Sequence, residues 1–325
     1  MLYRTIGGRR TVSALCLGAM RFGSETDPDT STAILDRFVA AGGTFIDTAN
    51  NYNQVFGVGG ESEELLGRWM RSRGNRDQLI IATKCGAKTT IPGNPDNNHW
   101  EGLSATVIDA AVKESLTRLG IDRIDLYYAH IDDRSTPLEE TVGAFGRLAA
   151  EGTVDLIGCS NTASWRLERA RRLAADQGVE RYSVVQQHHT YLWPSPLPLT
   201  GIRRLGNPHF PHAGIEHFDY LTEHRDLTLV AYAPLLSGSY GRADRPFPAE
   251  RGYEHPAAYM RFEVLRQIAQ ELGATPNQVV LAWMLHRDPA VIPLFGASSV
   301  GQLDEALDAV DISLDAELMD RLDNA

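Results

Sequence analysis

Cysteine is scarce in this sequence, and long apolar runs are missing. The 325 residues contain three cysteines, Cys16, Cys85 and Cys159. They are too few and too scattered for a disulfide framework or a zinc site, and each lies in an apolar run, so we expect buried free thiols. No apolar run approaches membrane-spanning length, and the opening "MLYRTIGGRR" has no apolar signal core. These absences predict a cytoplasmic protein.

Positive charge is also in short supply. The formal net charge is −11, which argues against nucleic acid or an anionic membrane as the main partner. A small anionic ligand stays open, because it meets a local field rather than the net charge. The histidines at 188, 189, 209, 212 and 217 form no recognised ligand spacing, so we expect no metal site.

What the sequence does contain is an alternation of two patterns. With 43% hydrophobic residues, the chain is long enough for a large core. Short apolar runs alternate with segments of helical periodicity, several of which stop at glycine. The apolar runs are "ALCLGAM", "TFIDTA", "LIIATKC", "IDLYYAH", "VDLIGCS", "YSVVQQH", "LTLVAYAPL" and "AVIPLFGAS".

Eight strands alternating with helices predict a (β/α)8 TIM barrel of the α/β class. The preceding "LYRTIGGRRTVS" predicts a short β-hairpin that turns at Gly7-Gly8. No linker interrupts the alternation, so we interpret residues 1–325 as one domain. Long Pro-, Gly- and Asn-rich connections follow strands three (86–102), six (190–214) and seven, on the side where barrel active sites form. The alternative is that they are surface insertions without a role.

Polar residues stand at the ends of three successive barrel strands. The second strand ends at Asp47, the third at Lys84 and the fourth at His130. Tyr52 follows on the loop after Asp47, beyond Asn50-Asn51, which we interpret as turn residues. Because neighbouring strands lie about 4.8 Å apart, these side chains can converge at one rim.

The chemistry of this set is coherent. Lys84 would lower the pKa of the Tyr52 phenol, and Asp47 would keep Lys84 charged. His130 would donate a hydrogen bond to a carbonyl oxygen that gains negative charge. Together they suit carbonyl reduction. Taken singly, each residue also has a structural interpretation as a cap, surface ion pair, packing residue or rim histidine.

With these motifs in place, the sequence resembles the aldo-keto reductase superfamily over nearly its whole length. "IDTANNY", "GESEELLG", "ATKCG" and "LYYAHIDD" are similar to the ordered motifs of that family. The resemblance implies a catalytic tetrad made of Asp47, Tyr52, Lys84 and His130. Within it Tyr52 would be the general acid–base of an NAD(P)H-dependent reductase of aldehydes, ketones or keto-sugars.

The resemblance also implies a cofactor trough without a Rossmann fold. The glycine-rich "FGVGGE", Phe56–Glu61, lacks the G-x-G-x-x-G spacing and is interpreted as a lead into a helix. The implied cofactor contacts, beside Asp47, are Gly18, Ala19, Met20, Ser160, Asn161, Gln186, Tyr232, Pro234, Leu235, Leu236, Ser237, Gly238, Arg242, Gly296, Ser298, Ser299 and Gln302. Among these, Gln186 would bond the nicotinamide carboxamide, and Arg242 would meet the pyrophosphate.

One departure from the family pattern affects the cofactor. The position that is commonly basic after the eighth strand is Ser299 here, and the asparagine position is Ala306. A 2′-phosphate usually meets a cation, although serine hydroxyls and a helix N-terminus also bind phosphate. We therefore expect NADP(H), with NAD(H) as the alternative.

Substrate identity is less constrained than the reaction. The loops would line the pocket with Arg21, Trp100, Trp193 and Tyr240, which suits a sugar or an aromatic aldehyde. The expected partner is a small carbonyl or alcohol. Two alternatives stay open at this point: a nucleotide-binding regulatory or channel-associated barrel with little turnover, and an unrelated barrel lyase or isomerase.

Overall fold

Ten strands and ten α-helices make up the described part of the chain. The computed structural model describes residues 1–54, 57–91, 99–195, 212–242 and 244–325. Parts of the predicted loops at 86–102 and 190–214, together with Phe56 and His209, lie outside the described residues.

The strands are β1 (Tyr3–Ile6), β2 (Arg10–Ser13), β3 (Cys16–Gly18), β4 (Phe45–Asp47), β5 (Ile80–Cys85), β6 (Ile124–Ala129), β7 (Val154–Ser160), β8 (Val184–His188), β9 (Thr228–Tyr232) and β10 (Val291–Phe295). The helices are α1 (Pro28–Ala40), α2 (Glu61–Arg73), α3 (Ala105–Leu119), α4 (Leu138–Ala150), α5 (Ser164–Gln177), α6 (Ile215–Glu223), α7 (Pro256–Glu271), α8 (Pro276–Leu285), α9 (Val300–Asp308) and α10 (Ala316–Asp323). None of these described helices is long and apolar enough to cross a membrane.

Strands β3 to β10 close into a parallel barrel in the order β10-β3-β4-β5-β6-β7-β8-β9. This confirms the predicted (β/α)8 fold, with one strand for each apolar run. The hairpin is confirmed too: β1 pairs antiparallel with β2, and Gly7 and Gly8 adopt φ of 55° and 66°. Only glycine adopts such angles without strain.

Helix ends follow signals that are visible in the sequence. Asp27 caps α1 by accepting from the N–H groups of its first turn, and Pro28 occupies the first helical position. Helices α2, α3 and α5 end at Gly74, Gly120 and Gly178, each in the left-handed conformation. The predicted glycine stops are therefore confirmed.

The barrel interior is apolar toward the amino ends of the strands and polar at their carboxyl ends. Alternate residues of each strand point inward and form one buried cluster with the hairpin residues Ile6 and Val12: Cys16, Phe45, Ala82, Leu126, Tyr128, Leu156, Val184, Val230, Ile292 and Leu294. A Cβ on Gly158 would lie 2.6 Å from the Tyr128 ring, so glycine makes room for this phenol. The next inward positions toward the carboxyl end are polar, and this change defines the site.

Candidate active site

The four residues of the predicted tetrad meet at the carboxyl end of the barrel. Asp47 is the last residue of β4, Lys84 lies one residue before the end of β5, and His130 follows β6 directly. Tyr52 lies on residues 48–54, which we call the tyrosine loop. The structure brings all four together, as the strand-end pattern predicts.

Lys84 is the centre of this group. Its Nζ donates to Asp47 Oδ1 at 2.5 Å, to the Thr48 carbonyl at 2.7 Å and to the Tyr52 hydroxyl at 2.8 Å. An ammonium has three protons to donate, so each has an acceptor. The Lys84 side chain is 0% exposed. A buried charge requires this degree of pairing, and the pairing fixes the ammonium against the phenol.

The second oxygen of the Asp47 carboxylate accepts a hydrogen bond from a strand across the barrel. Gln186 Nε2 on β8 donates to Asp47 Oδ2 at 2.9 Å. Gln186 is thus joined to the tetrad itself, a contact that the sequence resemblance does not indicate. Both carboxylate oxygens are satisfied, which orients Asp47 toward Lys84.

Burial shifts the protonation behaviour of these groups. It raises the pKa of the Tyr52 phenol above its ordinary value of 10.0, although the Lys84 ammonium acts in the opposite direction. Lys84 acts on the Tyr52 pKa in the predicted, lowering direction, but desolvation outweighs it, so the net shift is upward. Burial also disfavours the Lys84 ammonium, but Asp47 and Tyr52 outweigh it and raise the pKa of Lys84. At neutral pH Tyr52 therefore holds its proton and Lys84 is charged.

His130 stands beside the phenol as a neutral ring. Its imidazole meets the Tyr52 ring edge-on, with ring centroids 6.1 Å apart and an interplanar angle of 79°. Burial, and after it the Lys84 cation, holds the pKa of His130 well below 6.5. Among the described residues its Nδ1 is buried without a hydrogen-bond partner. A neutral imidazole has one N–H to donate.

Ser160, Asn161 and Tyr232, predicted as cofactor contacts, form one hydrogen-bonded group. Asn161 Nδ2 donates to the His130 carbonyl at 2.9 Å and to Ser160 Oγ at 3.0 Å. The Tyr232 hydroxyl donates to Asn161 Oδ1 at 2.8 Å. Asn161 has a φ of 56°, a left-handed conformation that asparagine tolerates better than most residues. The group ties the ends of β7 and β9 to the tetrad.

The loop after β9, which carries several of the predicted cofactor contacts, has an unusual backbone. Three non-glycine residues have positive φ, with values of 52° at Ala233, 46° at Leu236 and 57° at Ser237. Such angles cost about 1–2 kcal/mol per residue and occur at ligand clamps. Leu236 is 1% exposed and anchors the loop, whose predicted cofactor residues are Pro234, Leu235, Leu236, Ser237 and Gly238.

Two arginines accompany this loop. Arg242, the predicted pyrophosphate cation, pairs with Asp244 at 2.6 Å, and its side chain is 53% exposed. An exposed ion pair is weak, so the guanidinium stays available to an anion. Arg245 donates to the Ser237 carbonyl. Sequence reasoning missed Arg245, although it follows Arg242 by three residues in "GRADR".

The loop after β10 carries no cation at the predicted position. Ser299 caps α9 by accepting from the Gln302 N–H at 3.2 Å. The Ser298 N–H and hydroxyl both donate to Gln302 Oε1, each at 2.9 Å. Gly296, Ser298 and Ser299 are exposed, and no atom lies within 4 Å of a Cβ on Gly296. The serine hydroxyls are thus engaged with the first turn of α9.

Gly18, Ala19 and Met20 follow the first barrel strand. A Cβ on Gly18 would lie 3.2 Å from the Leu294 side chain, a tight contact that favours glycine. Ala19 is buried and its carbonyl accepts from Ser62 Oγ at 2.7 Å. Met20 is 50% exposed and contributes apolar surface to the rim.

The predicted substrate residues Arg21, Trp100 and Trp193 are at least partly exposed. The Arg21 guanidinium lies 3.6 Å from the Glu25 carboxylate. Trp100 is half-buried and forms an antiparallel bridge with Thr89. Trp193 is 39% exposed. These side chains can present surface to a ligand.

Tyr240, also predicted for the substrate pocket, is buried, unlike the other three predicted pocket residues. It is 3% exposed. Its hydroxyl is hydrogen-bonded to Thr190 Oγ1 at 2.7 Å and accepts from the Leu192 N–H at 3.0 Å. Tyr240 thereby ties the segment after β8 to the segment after β9.

Sequence reasoning missed a second row of polar contacts from the start of α2. Ser62 Oγ lies 2.8 Å from Thr48 Oγ1. Glu63 is 0% exposed; its carboxylate accepts from Thr83 Oγ1 at 2.6 Å and from Arg118 Nε at 2.7 Å. Thr48 and Thr83 are the chain neighbours of Asp47 and Lys84. The sequence segment that could have indicated these contacts is "GESEELLG", whose polar residues hold α2 against the strand ends.

The cysteines are buried free thiols, as predicted from their apolar surroundings. Burial raises the pKa of Cys85, and it raises the pKa of Cys159 to about 12, so these thiols are unreactive. Across the described ranges, no group of three or more His, Cys, Asp or Glu side chains is arranged to hold a metal ion.

Comparison with known proteins assigns the chain to a family. The profile of the Aldo/keto reductase family matches residues 14–325. The chain is 33% identical to an uncharacterized oxidoreductase, YrpG, of Bacillus subtilis, with 96% of this chain and 92% of that protein aligned. It is 31% identical to norsolorinic acid reductase A of Aspergillus parasiticus, covering 97% and 78% of the two chains. It is 30% identical to an aryl-alcohol dehydrogenase [NADP(+)] of Phanerodontia chrysosporium, covering 96% and 82%. The chain belongs to the aldo/keto reductase family, whose members are oxidoreductases acting on carbonyls.

Proposed function

We propose that the protein reduces the carbonyl group of a small molecule to an alcohol, or catalyses the reverse reaction, with NADP(H) as cofactor and Tyr52 as general acid–base. The observation that carries this proposal is the contact of 2.8 Å between the Lys84 ammonium and the Tyr52 hydroxyl. A buried cation placed on a phenol has an evident chemical use, since it stabilises the phenolate that remains after proton transfer.

The proton path follows from the protonation states. Tyr52 holds its proton at neutral pH because burial raises its pKa, so it can donate that proton to the carbonyl oxygen during reduction. Lys84 stabilises the resulting phenolate, and Asp47 keeps Lys84 charged. Neutral His130 can donate a hydrogen bond to the same oxygen and orient it. In the oxidation direction, Tyr52 would act in its deprotonated form, and this phenolate, stabilised by Lys84, would accept the alcohol proton.

The residues around the tetrad fit a nicotinamide cofactor. When bound, NADP(H) supplies or accepts the hydride. Asn161 and Ser160 offer polar atoms beside the tetrad, and Tyr232 offers a ring held by its hydroxyl. The strained backbone of residues 233–238 can present N–H groups to phosphate, with Arg242 and Arg245 beside it. The NADP(+) named for the aryl-alcohol dehydrogenase relative supports the choice of NADP(H).

For the substrate we propose an aromatic aldehyde or ketone. Met20 and Trp193 are large apolar side chains with 50% and 39% exposure. Tyr52 and His130 add two half-buried rings. An aryl group can pack against such surfaces, whereas a sugar needs more hydrogen-bond partners. The relatives named norsolorinic acid reductase and aryl-alcohol dehydrogenase support the same class.

The decisive experiment replaces Tyr52 with Phe and measures reduction of 4-nitrobenzaldehyde with NADPH. Only the ionisable hydroxyl is lost, so the rate should fall by about 10²–10⁴-fold. Tyr259→Phe is the matched control, since Tyr259 is 46% exposed on α7 and its variant should keep the native rate. NADPH binding, followed by fluorescence quenching, should stay unchanged in both variants.

Two results would count against the proposal. If Tyr52→Phe reduces the aldehyde at the native rate with NADPH bound, Tyr52 is not the acid. If the native protein binds NADPH but turns over no member of a panel of aldehydes, ketones and keto-sugars, the chain is a nucleotide-binding module. Ranking that panel also tests the aromatic preference against keto-sugars.

A further inference from the structure

The chain after β5 returns on itself beside the tyrosine loop. We call residues 86–91 and 99–102 the β5 loop. Its two arms are hydrogen-bonded, and the Glu101 N–H donates to the Lys88 carbonyl at 2.8 Å. Glu101 is half-buried. This hydrogen bond fixes its backbone against the other arm of the loop.

One oxygen of Glu101 joins the two segments that carry the phenol and the ammonium. Glu101 Oε1 accepts from Asn50 Nδ2 at 2.8 Å and from the Gly86 N–H at 2.7 Å. Asn50 lies two residues before Tyr52, and Gly86 lies two residues after Lys84. Asn50 is 1% exposed, so its side-chain amide is shielded from water, unlike that of a typical turn asparagine. The carboxylate therefore bridges the backbone positions on either side of the Lys84–Tyr52 contact.

Two other hydrogen bonds connect the same loops. Asn51 Nδ2 donates to the Ala87 carbonyl at 3.1 Å, and the Thr89 N–H donates to Gln54 Oε1 at 2.8 Å. Both join neutral groups. Hydrogen bonds to an ionised acceptor are roughly twice as strong as neutral ones, so Glu101 is the strongest link between the β5 loop and the tyrosine loop among the described contacts.

We propose that Glu101 is a positioning residue, which sets the distance between the Tyr52 hydroxyl and Lys84 and thereby the efficiency of proton transfer. The inference rests on the proposed function of Tyr52 as general acid. A displacement of about 1 Å can cost about 10²-fold in rate. Glu101 acts beside the backbone bond from the Asn50 N–H to the Lys84 carbonyl at 3.1 Å, and it links the two segments whose relative position determines this distance.

Two substitutions separate positioning from general stability. Glu101→Ala removes the acceptor and leaves the Asn50 amide and the Gly86 N–H without it. We expect kcat to fall by about 10-fold to 10²-fold, with little change in the NADPH Kd. The solvent deuterium isotope effect on reduction should rise, because proton transfer becomes slower. Glu101→Gln keeps an oxygen at the Oε1 position and should restore kcat to within about threefold of native.

The control is Glu64→Ala, which removes an exposed carboxylate on α2 that lies 3.8 Å from Arg68 and should leave kcat native. Circular dichroism and NADPH quenching confirm that each variant is folded. The inference is overturned if Glu101→Ala retains native kcat, if Glu101→Gln is as slow as Glu101→Ala, or if kcat falls with no rise in the isotope effect. Failure of the proposed function is recognised separately, because then Tyr52→Phe would also keep the native rate.

Discussion

Replacing Lys84 with Met tests the electrostatics of the tetrad through protein stability, independently of any substrate. The substitution removes a buried ammonium and retains an unbranched side chain of similar length. The Asp47 carboxylate, 1% exposed, then loses its cation and keeps the hydrogen bond from Gln186. A buried carboxylate without its cation is strongly destabilised unless it takes up a proton. Asp47 should therefore become a neutral acid in the variant.

The cost of that protonation can be worked out. An unfolded aspartate has a pKa near 3.9, so keeping it protonated costs about 4 kcal/mol at pH 7 and about 1.5 kcal/mol at pH 5. With about 2.1 cal/mol/K per residue over 325 residues, the unfolding entropy is about 0.7 kcal/mol/K. The variant should melt about 6 °C below the native protein at pH 7 and about 2 °C below it at pH 5. The sign follows from linkage: the folded variant binds the extra proton, so acid stabilises it relative to the native protein.

The assay is thermal unfolding followed by circular dichroism at pH 5, 6 and 7, with each variant compared with the native protein at the same pH. The control is Lys84→Met combined with Asp47→Asn, which has no carboxyl to titrate, so its deficit should not shrink toward pH 5. A Lys84→Met deficit that stays constant or grows between pH 7 and pH 5 would refute the reasoning, as would a deficit that the second substitution leaves unchanged.

Two further predictions concern the cofactor and acid stability. In fluorescence titrations, the native protein should prefer NADPH over NADH only modestly. Ser299→Arg should strengthen this preference by about tenfold. Ser299→Gln, which removes the helix cap without adding charge, should leave the preference unchanged. A steep native preference for NADPH would contradict this account of the α9 loop. Burial lowers the pKa of His188 to about 3 and of His212 to about 4, and it holds the pKa of His189 well below 6.5. Because the unfolded chain takes up these protons below pH 6.5 and the native protein does not, these three rings should lower stability by up to about 6 kcal/mol between neutral pH and pH 5. His130 acts in the same direction. Chemical denaturation at both pH values measures the loss, His189→Gln should remove about 2 kcal/mol of it, and a flat profile would contradict the prediction.

Local patterns determined the architecture and the membership of the tetrad. Each apolar run became one barrel strand, because a strand covered on both faces must be apolar along its length. Glycines ended α2, α3 and α5, because the left-handed C′ position favours a residue without Cβ. Asp47, Lys84 and His130 could be located as site residues, because the carboxyl ends of parallel strands share one face of the barrel. These inferences need only the order of residues along the chain.

The tertiary structure decided which polar atoms meet and how they ionise. Asn50 and Asn51 are turn residues, as predicted, but the sequence did not show that their amides bond the β5 loop. Gln186 appeared to be a cofactor contact, and it reaches Asp47 from a strand 139 residues away. The Tyr52 pKa is raised by the exclusion of water from the phenol and lowered by the nearby Lys84 ammonium. The sign of the net shift depends on which of these two effects is larger. Contacts between distant residues and burial are produced by the assembled barrel, so no local sequence pattern contains them.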